Sequence, residues 1–334
     1  MKRIVIFLFL ALAAASATGV AVSQTAASAP ELLRLEDSLD SMGTTYSVVV
    51  YGSERYKLQA AVELAFEEVR RLDQMLSNYR PDSELTLVNR KAGDGPVKIS
   101  AELFDLLAQC IRYSEASQGA FDITVGPLMK IWGFYKGSGR FPHRAEIRGA
   151  LSRVGYRHLI LDRQQQTVQF GRQGVEIDPG GIGKGYAVDR MVSILRANGI
   201  HSGLITAGSS SIYGIGAPPA EPKGWRVVIR HPKQPGKAVQ ELFLQDMSMS
   251  TSGSYEKFFR AGGKVYSHIM DPRTGYPAPG MLSVSVVSPK TLDSEAWTKP
   301  YFINGRNWAS KNKIPGSRVF LCEDRSELAC AWLQ

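Results

Sequence analysis

Apolar residues at Leu58, Val62, Ala65, Val69, Leu72 and Leu76 recur every three to four positions, which predicts an amphipathic helix ending before Asn78. A second predicted helix takes Ser100 as its N-cap, turns Leu103, Leu107, Cys110 and Ile111 inward and stops at Gly119. Elsewhere the period falls to two. Thr45 to Val50 reads as a strand, Leu159 to Asp162 with Thr167 to Phe170 as a short hairpin, and Trp225 to Arg230, Leu242 to Gln245 and Leu282 to Val287 as further strands. In the last of these Leu282, Val284 and Val286 alternate with serines. Val175 to Asp178 reads as a strand that feeds a glycine loop, and the loop feeds a helix with Val188, Met191, Val192 and Leu195 on one stripe and Gly199 as its stop. Helices and strands are mixed rather than strictly alternating and no repeat is visible, so the expected class is α+β, one unit of mixed sheets flanked by helices.

The first residues do not belong to that unit. Met1-Lys2-Arg3, an apolar run from Ile4 through Ala15 and a tail of small residues make an export signal over residues 1–29. Cleavage after Ala17, Ser23 or another small residue before Pro30 and retention as a membrane anchor both remain open. A lipid anchor would need a cysteine at the cleavage point, and the first cysteine is Cys110. The expected location is exported, periplasmic or at the cell envelope, with residues 30–334 as the working domain.

Composition adds bounds. A chain of 334 residues, 44% hydrophobic and 21% charged, has the balance of a globular protein with one large or two modest cores. The formal charge of +9 suits an anionic ligand, and without Lys2 and Arg3 it is +7. Those charges are dispersed, with no basic run, no zinc-ligand spacing and no interleaving of aromatic and basic residues, so a nucleic-acid partner is not expected. Three cysteines do not make a disulfide framework at this length; Cys110 reads as a core thiol, and Cys322 and Cys330 are placed to pair in an oxidising compartment.

Three stretches carry candidate chemistry. Gly180-Gly181-Ile182-Gly183-Lys184-Gly185 combines bare backbone N–H groups, a helix start and a lysine, which is what a phosphate cradle needs. It matches neither the Walker pattern, having Asp178 at the first glycine position and Gly185 after the lysine, nor the dinucleotide fingerprint, having Tyr186 and Val188 at the third-glycine positions. A tight strand-to-helix turn is the equally weighted alternative. His268 stands between a strand-like segment and the turn Asp271-Pro272-Arg273-Thr274-Gly275; it reads either as a ring bonded to that turn or as a general base near neutral pH. Met42-Gly43-Thr44, Leu76 to Leu85, and Gly119 to Leu128 with Trp132-Gly133-Phe134 supply aromatics and turn carbonyls that serve packing or the stacking of a flat heterocycle.

Together these segments resemble the FAD:protein FMN transferases, the ApbE family. The resemblance runs through Met42-Gly43-Thr44, Ser77 to Leu85, Phe121-Asp122, Gly126-Pro127-Leu128, Trp132-Gly133-Phe134, Ile177 to Asp189, Thr251-Ser252-Gly253 and His268 to Gly275, in the family's order and over nearly the whole mature chain. It implies an exported enzyme that binds FAD with a magnesium ion on its diphosphate. A threonine or serine hydroxyl of an exported or membrane-bound redox protein attacks the phosphorus on the FMN side, and AMP leaves. Membrane contact would come only through that acceptor or an uncleaved signal. Carried over by position, Met42, Tyr79, Ala120, Phe121, Asp122, Asp178, Lys184 and Ile269 contact FAD, His268 is the base, and Gly181 offers its carbonyl to the metal.

The sequence departs from the family in its C-terminal metal half-site, which normally has an aspartate followed four residues later by a threonine. Glu295 stands for the aspartate and Lys299 for the threonine. Three outcomes are open: Lys299 pairs with Glu295 and leaves the metal to Thr298, Asp293 and Gly181; Lys299 itself neutralises the diphosphate; or the chain binds flavin without transferring it. Hydrolysis of FAD to FMN and AMP is the remaining enzymatic alternative. At Ala207-Gly208-Ser209-Ser210-Ser211, where the family commonly has Gly-Gly-Asn, serines stand ready to donate to phosphate or ribose.

Overall fold

A computed structural model describes residues 32–137, 139–325 and 327–334, so the predicted export signal lies outside the described residues. Eight strands form the main sheet: β1 (Leu33–Ser41), β2 (Thr44–Gly52), β3 (Ser202–Ala207), β4 (Ser211–Ile215), β5 (Met247–Gly253), β6 (Met281–Ser288), β7 (Arg318–Glu323) and β8 (Ala329–Trp332). They lie side by side in chain order, every pairing antiparallel. Four long helices accompany them: α1 (Arg55–Leu76), α2 (Ala101–Ala116), α3 (Gly183–Ala197) and α4 (Thr291–Lys311), the last interrupted at Gly305 with φ 77°. This is the expected α+β class.

The helix stripes read from the sequence are the buried ones. Leu58, Val62, Ala65, Val69, Leu72 and Leu76 of α1 enter the main core with Val188, Met191, Val192 and Leu195 of α3. Ser100 caps α2, its hydroxyl accepting from the Leu103 N–H at 3.2 Å. Helices α1, α3 and α4 pack on the main sheet, while the hairpin Trp225–Arg230 with Ala238–Leu244 closes a second core with Met249, Val287 and Phe320. With helix and hairpin covering it, the middle of the sheet is buried on both faces.

That double cover explains the serines of β6. Ser283, Ser285 and Ser288 are buried rather than facing water. Ser285 and the Ser288 carbonyl join a polar network: Ser248 Oγ donates to Ser288 O at 2.7 Å and bonds Ser294 Oγ of α4, which also meets Ser250 Oγ, while Thr251 pairs with Ser285. The hydroxyls of this network are tolerable in the interior because they partner one another or a carbonyl.

Two sequence readings need correction. Val175 to Asp178 is extended but enters no sheet among the described residues; it makes one bridge, Val125 to Glu176, and its remaining backbone groups bond loops and side chains. The strand read at Leu242 to Gln245 begins earlier, at Ala238, where it faces Arg230. Cys322 and Cys330 form a disulfide across β7 and β8, and Cys110 is a buried free thiol.

Candidate active site

The glycine loop owes its shape to four side chains. Asn89, on the short helix Glu84–Lys91, accepts from the Ile177 N–H at 2.8 Å and donates to the Ile177 carbonyl at 2.9 Å, so one amide satisfies both backbone groups of that residue. Asn78 donates to the same carbonyl at 3.2 Å. Asp178 then accepts from the Gly180 N–H at 2.8 Å, while its own N–H reaches the Ile123 carbonyl. From there Pro179–Gly181 makes one 3-10 turn and α3 begins at Gly183. Its N-cap residue, Ile182, has no capping side chain. Glu295 of α4 supplies one from across the interface, accepting the Gly185 N–H.

Glycine is required at position 185. A Cβ there would lie 2.6 Å from the Thr291 carbonyl and 2.8 Å from a Glu295 carboxylate oxygen. Gly185→Ala is expected to push α3 off α4 and destabilise the protein by about 1–3 kcal/mol, read as a lowered thermal midpoint; an unchanged midpoint would mean that the two helices have slack.

Glu295 also faces Lys184, Oε1 to Nζ 3.3 Å, and its carboxyl is almost wholly buried, 3% exposed. Lys299 does not pair with this carboxylate. Its ammonium donates instead to the Gly181 carbonyl at 3.0 Å and to the Glu295 backbone carbonyl at 2.9 Å. Burial pushes Lys299 down to about 8, with Glu295 opposing and Lys184 adding to the shift, which leaves it protonated at neutral pH. Thr298 turns away from the cavity, bonded to Ser252 at 2.7 Å and to the Glu295 carbonyl. Asp293 accepts from the Tyr113 hydroxyl.

Above this floor opens a cavity of about 620 Å³. It is lined by Met42, Tyr79, Ala120, Phe121, Asp122, Asp178, Gly181, Lys184, His268, Ile269, Glu295 and Lys299, whereas the metal-ligand candidates Thr298 and Asp293 are left out. Met42 and Gly43 form the two-residue β1–β2 turn with φ of 49° and 70°. A left-handed methionine is a costly choice in such a turn, and it carries the side chain to the cavity mouth. Tyr79 is 74% exposed at the rim, edge-on to Tyr135. Phe121 is buried against Tyr113 and lies beneath Gly181. Asp122 is bound differently from expectation: one oxygen accepts from the Thr124 amide and hydroxyl, the other from the Tyr156 amide, so its carboxylate chiefly holds the loop that presents Phe121.

His268 is half-buried. Its Nδ1 lies 3.1 Å from the Lys257 carbonyl, an acceptor only, so Nδ1 carries the proton and Nε2 keeps its lone pair. Burial, reinforced by the positive charges of Lys257, Lys299 and Lys184, lowers its pKa to about 4. The imidazole is therefore neutral at pH 7 and able to take a proton. Burial raises the pKa of Asp178, and burial, with Asp178 second, raises that of the Tyr135 phenol.

Sequence reasoning missed Asn89 and Tyr135. Asn89 lies in a polar helix turn and meets Ile177 only through the fold; Tyr135 follows the Trp132-Gly133-Phe134 signal directly, and that nearness was its one clue.

Comparison with known proteins identifies the family. The ApbE family profile matches residues 42–314. The FAD:protein FMN transferase of Treponema pallidum is 32% identical over 308 residues, covering 87% of this chain and 85% of that protein. That of Salmonella typhimurium is 31% identical, covering 93% and 89%. The ApbE protein of Thermotoga maritima superposes with a TM-score of 0.80 at 28% identity, over 90% of this chain and 96% of that one. The apo flavinyl transferase ApbE of Pseudomonas stutzeri gives 0.80 at 26% identity, over 91% and 95%. With the profile spanning most of the chain and relatives above 30% identity over nearly all of it, this protein belongs to the ApbE family.

Proposed function

We propose that this chain transfers FMN from FAD to a hydroxyl group of another protein and releases AMP. The observation that carries the reading is one cavity with a cationic floor at Lys184 and Lys299, apolar and aromatic walls, and a neutral histidine. The diphosphate of FAD belongs over the floor and its ring systems between Met42, Tyr79, Phe121 and Ile269. In the reaction the acceptor oxygen forms a bond to the FMN phosphorus while the phosphoanhydride bond to AMP breaks. The hydroxyl proton passes to Nε2 of His268, and AMP leaves as the anion.

The acceptor is a threonine or serine of an exported or membrane-bound redox protein; the N-terminal signal and the family resemblance support this. The magnesium ion implied by that resemblance does not fit the oxygens present. The Gly181 carbonyl accepts an ammonium, the Glu295 carboxylate is engaged by Gly185 and Lys184, and the Thr298 hydroxyl is engaged by Ser252 and the Glu295 carbonyl. A dication and an ammonium about 4 Å apart at that carbonyl would repel by about 8 kcal/mol at an effective dielectric of 20.

The test is to incubate the purified protein with FAD and an acceptor domain carrying a threonine site, then weigh the denatured acceptor. A gain of one FMN, with AMP in solution, is expected. Free FMN and AMP without an adduct would make the protein a hydrolase, and tight FAD binding without products would make it a flavin carrier.

A further inference from the structure

We propose that the Lys299 ammonium is a built-in replacement for the metal ion, making flavin binding and transfer in this protein independent of divalent cations. The inference rests on the FMN-transfer reading and concerns the diphosphate subsite of the same cavity.

The geometry of one side chain carries it. An ammonium has three N–H donors. Two of those on Lys299 go to the carbonyls of Gly181 and Glu295, which tether the group at the junction of the glycine loop and α4. The third has no protein acceptor among the described residues, and Lys299 lines the cavity. A fixed cation with one donor left for the cavity is suited to a phosphate oxygen. It stands on the Gly181 carbonyl, so it takes the place of the ion instead of supplementing it.

The neighbouring substitution is consistent with this arrangement. Glu295 turns its carboxylate to the start of α3, where it meets Gly185 and Lys184, and away from Lys299. The Lys299 charge is thus not cancelled by a direct carboxylate contact. Between them the Lys184 and Lys299 ammoniums have, among the described residues, one direct carboxylate contact, that of Lys184 with Glu295 beside the N-terminal end of α3, an arrangement suited to an anionic diphosphate. Among the described residues no group of three or more His, Cys, Asp or Glu side chains is placed to hold a metal.

The experiment measures flavin affinity in the purified protein by fluorescence quenching, with FAD and riboflavin as separate probes, in EDTA and in excess Mg²⁺. FAD affinity of the unaltered protein is expected to agree within about twofold between the two conditions. Lys299→Met is expected to weaken FAD at least tenfold while leaving riboflavin, which lacks the diphosphate, unchanged. A tenfold or greater loss of FAD affinity on chelation, restored by Mg²⁺, would overturn the proposal, as would Lys299→Met binding FAD like the unaltered protein. If that variant binds neither flavin, its fold is lost and the chelation result on the unaltered protein decides alone. Acceptor labelling separates the two readings: an adduct that forms only with Mg²⁺ refutes the lysine role and keeps the transferase, whereas chelator-resistant, Lys299-dependent FAD binding without an adduct does the reverse.

Discussion

Replacing His268 by alanine is expected to slow FMN transfer by about 10²–10⁴-fold, while FAD binding changes little. His268 is the candidate base because the Lys257 carbonyl fixes the proton on Nδ1 and leaves Nε2 with its lone pair. Its depressed pKa adds a pH signature. A base titrating near 4 is already deprotonated at pH 5, so the acid limb of kcat/KM should fall near pH 4 and not near the ordinary histidine value of 6.5. The same shift affects stability. Between those two values the unfolded chain binds the proton and the folded chain does not, so this contribution is complete above about 6.5 and is lost as pH falls through about 4. Thermal midpoints of the unaltered protein and His268→Ala should therefore converge as pH is lowered over that window. Transfer undiminished in the variant would remove His268 from the reaction.

Trp132→Ala is expected to cost about 3–5 kcal/mol, the largest stability effect of any single change considered. The indole is fully buried at the centre of a satellite core with Leu128, Ile147, Ala150 and Met270. Phe141, Tyr266 and Tyr276 surround it at 5.4, 5.7 and 5.8 Å between ring centroids. Its N–H donates to the Gly275 carbonyl at 2.9 Å, holding the turn that follows His268. Deleting it should lower the thermal midpoint by roughly 10 °C and weaken the ordering of the catalytic segment, so FMN transfer falls as well. Trp132→Phe, which keeps most of the buried area and loses the hydrogen bond, should cost much less. Equal losses in the two variants would place the effect in the hydrogen bond rather than in packing.

Much of this protein was legible in its sequence wherever a signal is local. Helices α1, α2 and α3 follow from an apolar stripe at the helical period and from their stops, because a helix closes its own hydrogen bonds. The hairpin at Leu159–Phe170 and the strand at Trp225–Arg230 follow from alternation between turns, while the pairing of the latter with Ala238–Leu244 does not. All the proposed site residues except Thr298 and Asp293 line one cavity, most of them in short motifs whose order matches the family.

What only the tertiary structure decided has one physical cause: the deciding partner is far away in the chain. Strand β1 pairs its whole length with β2, yet its own sequence, LRLEDSLDS, is too charged to announce a buried partner. Helix α4 hides its character behind Pro300 and buried polar residues, of which Ser294 and Thr298 find hydroxyl partners on β5. Lys299 and Glu295 are one helical turn apart and invite pairing by spacing alone. The fold instead brings Gly181 to the lysine and Gly185 with Lys184 to the glutamate, each more than 100 residues away in sequence, and hydrogen-bond geometry overrides the local pair. The sequence alone therefore determined that a flavin-type site exists and which motifs build it. The direction in which each charge points was settled by long-range packing.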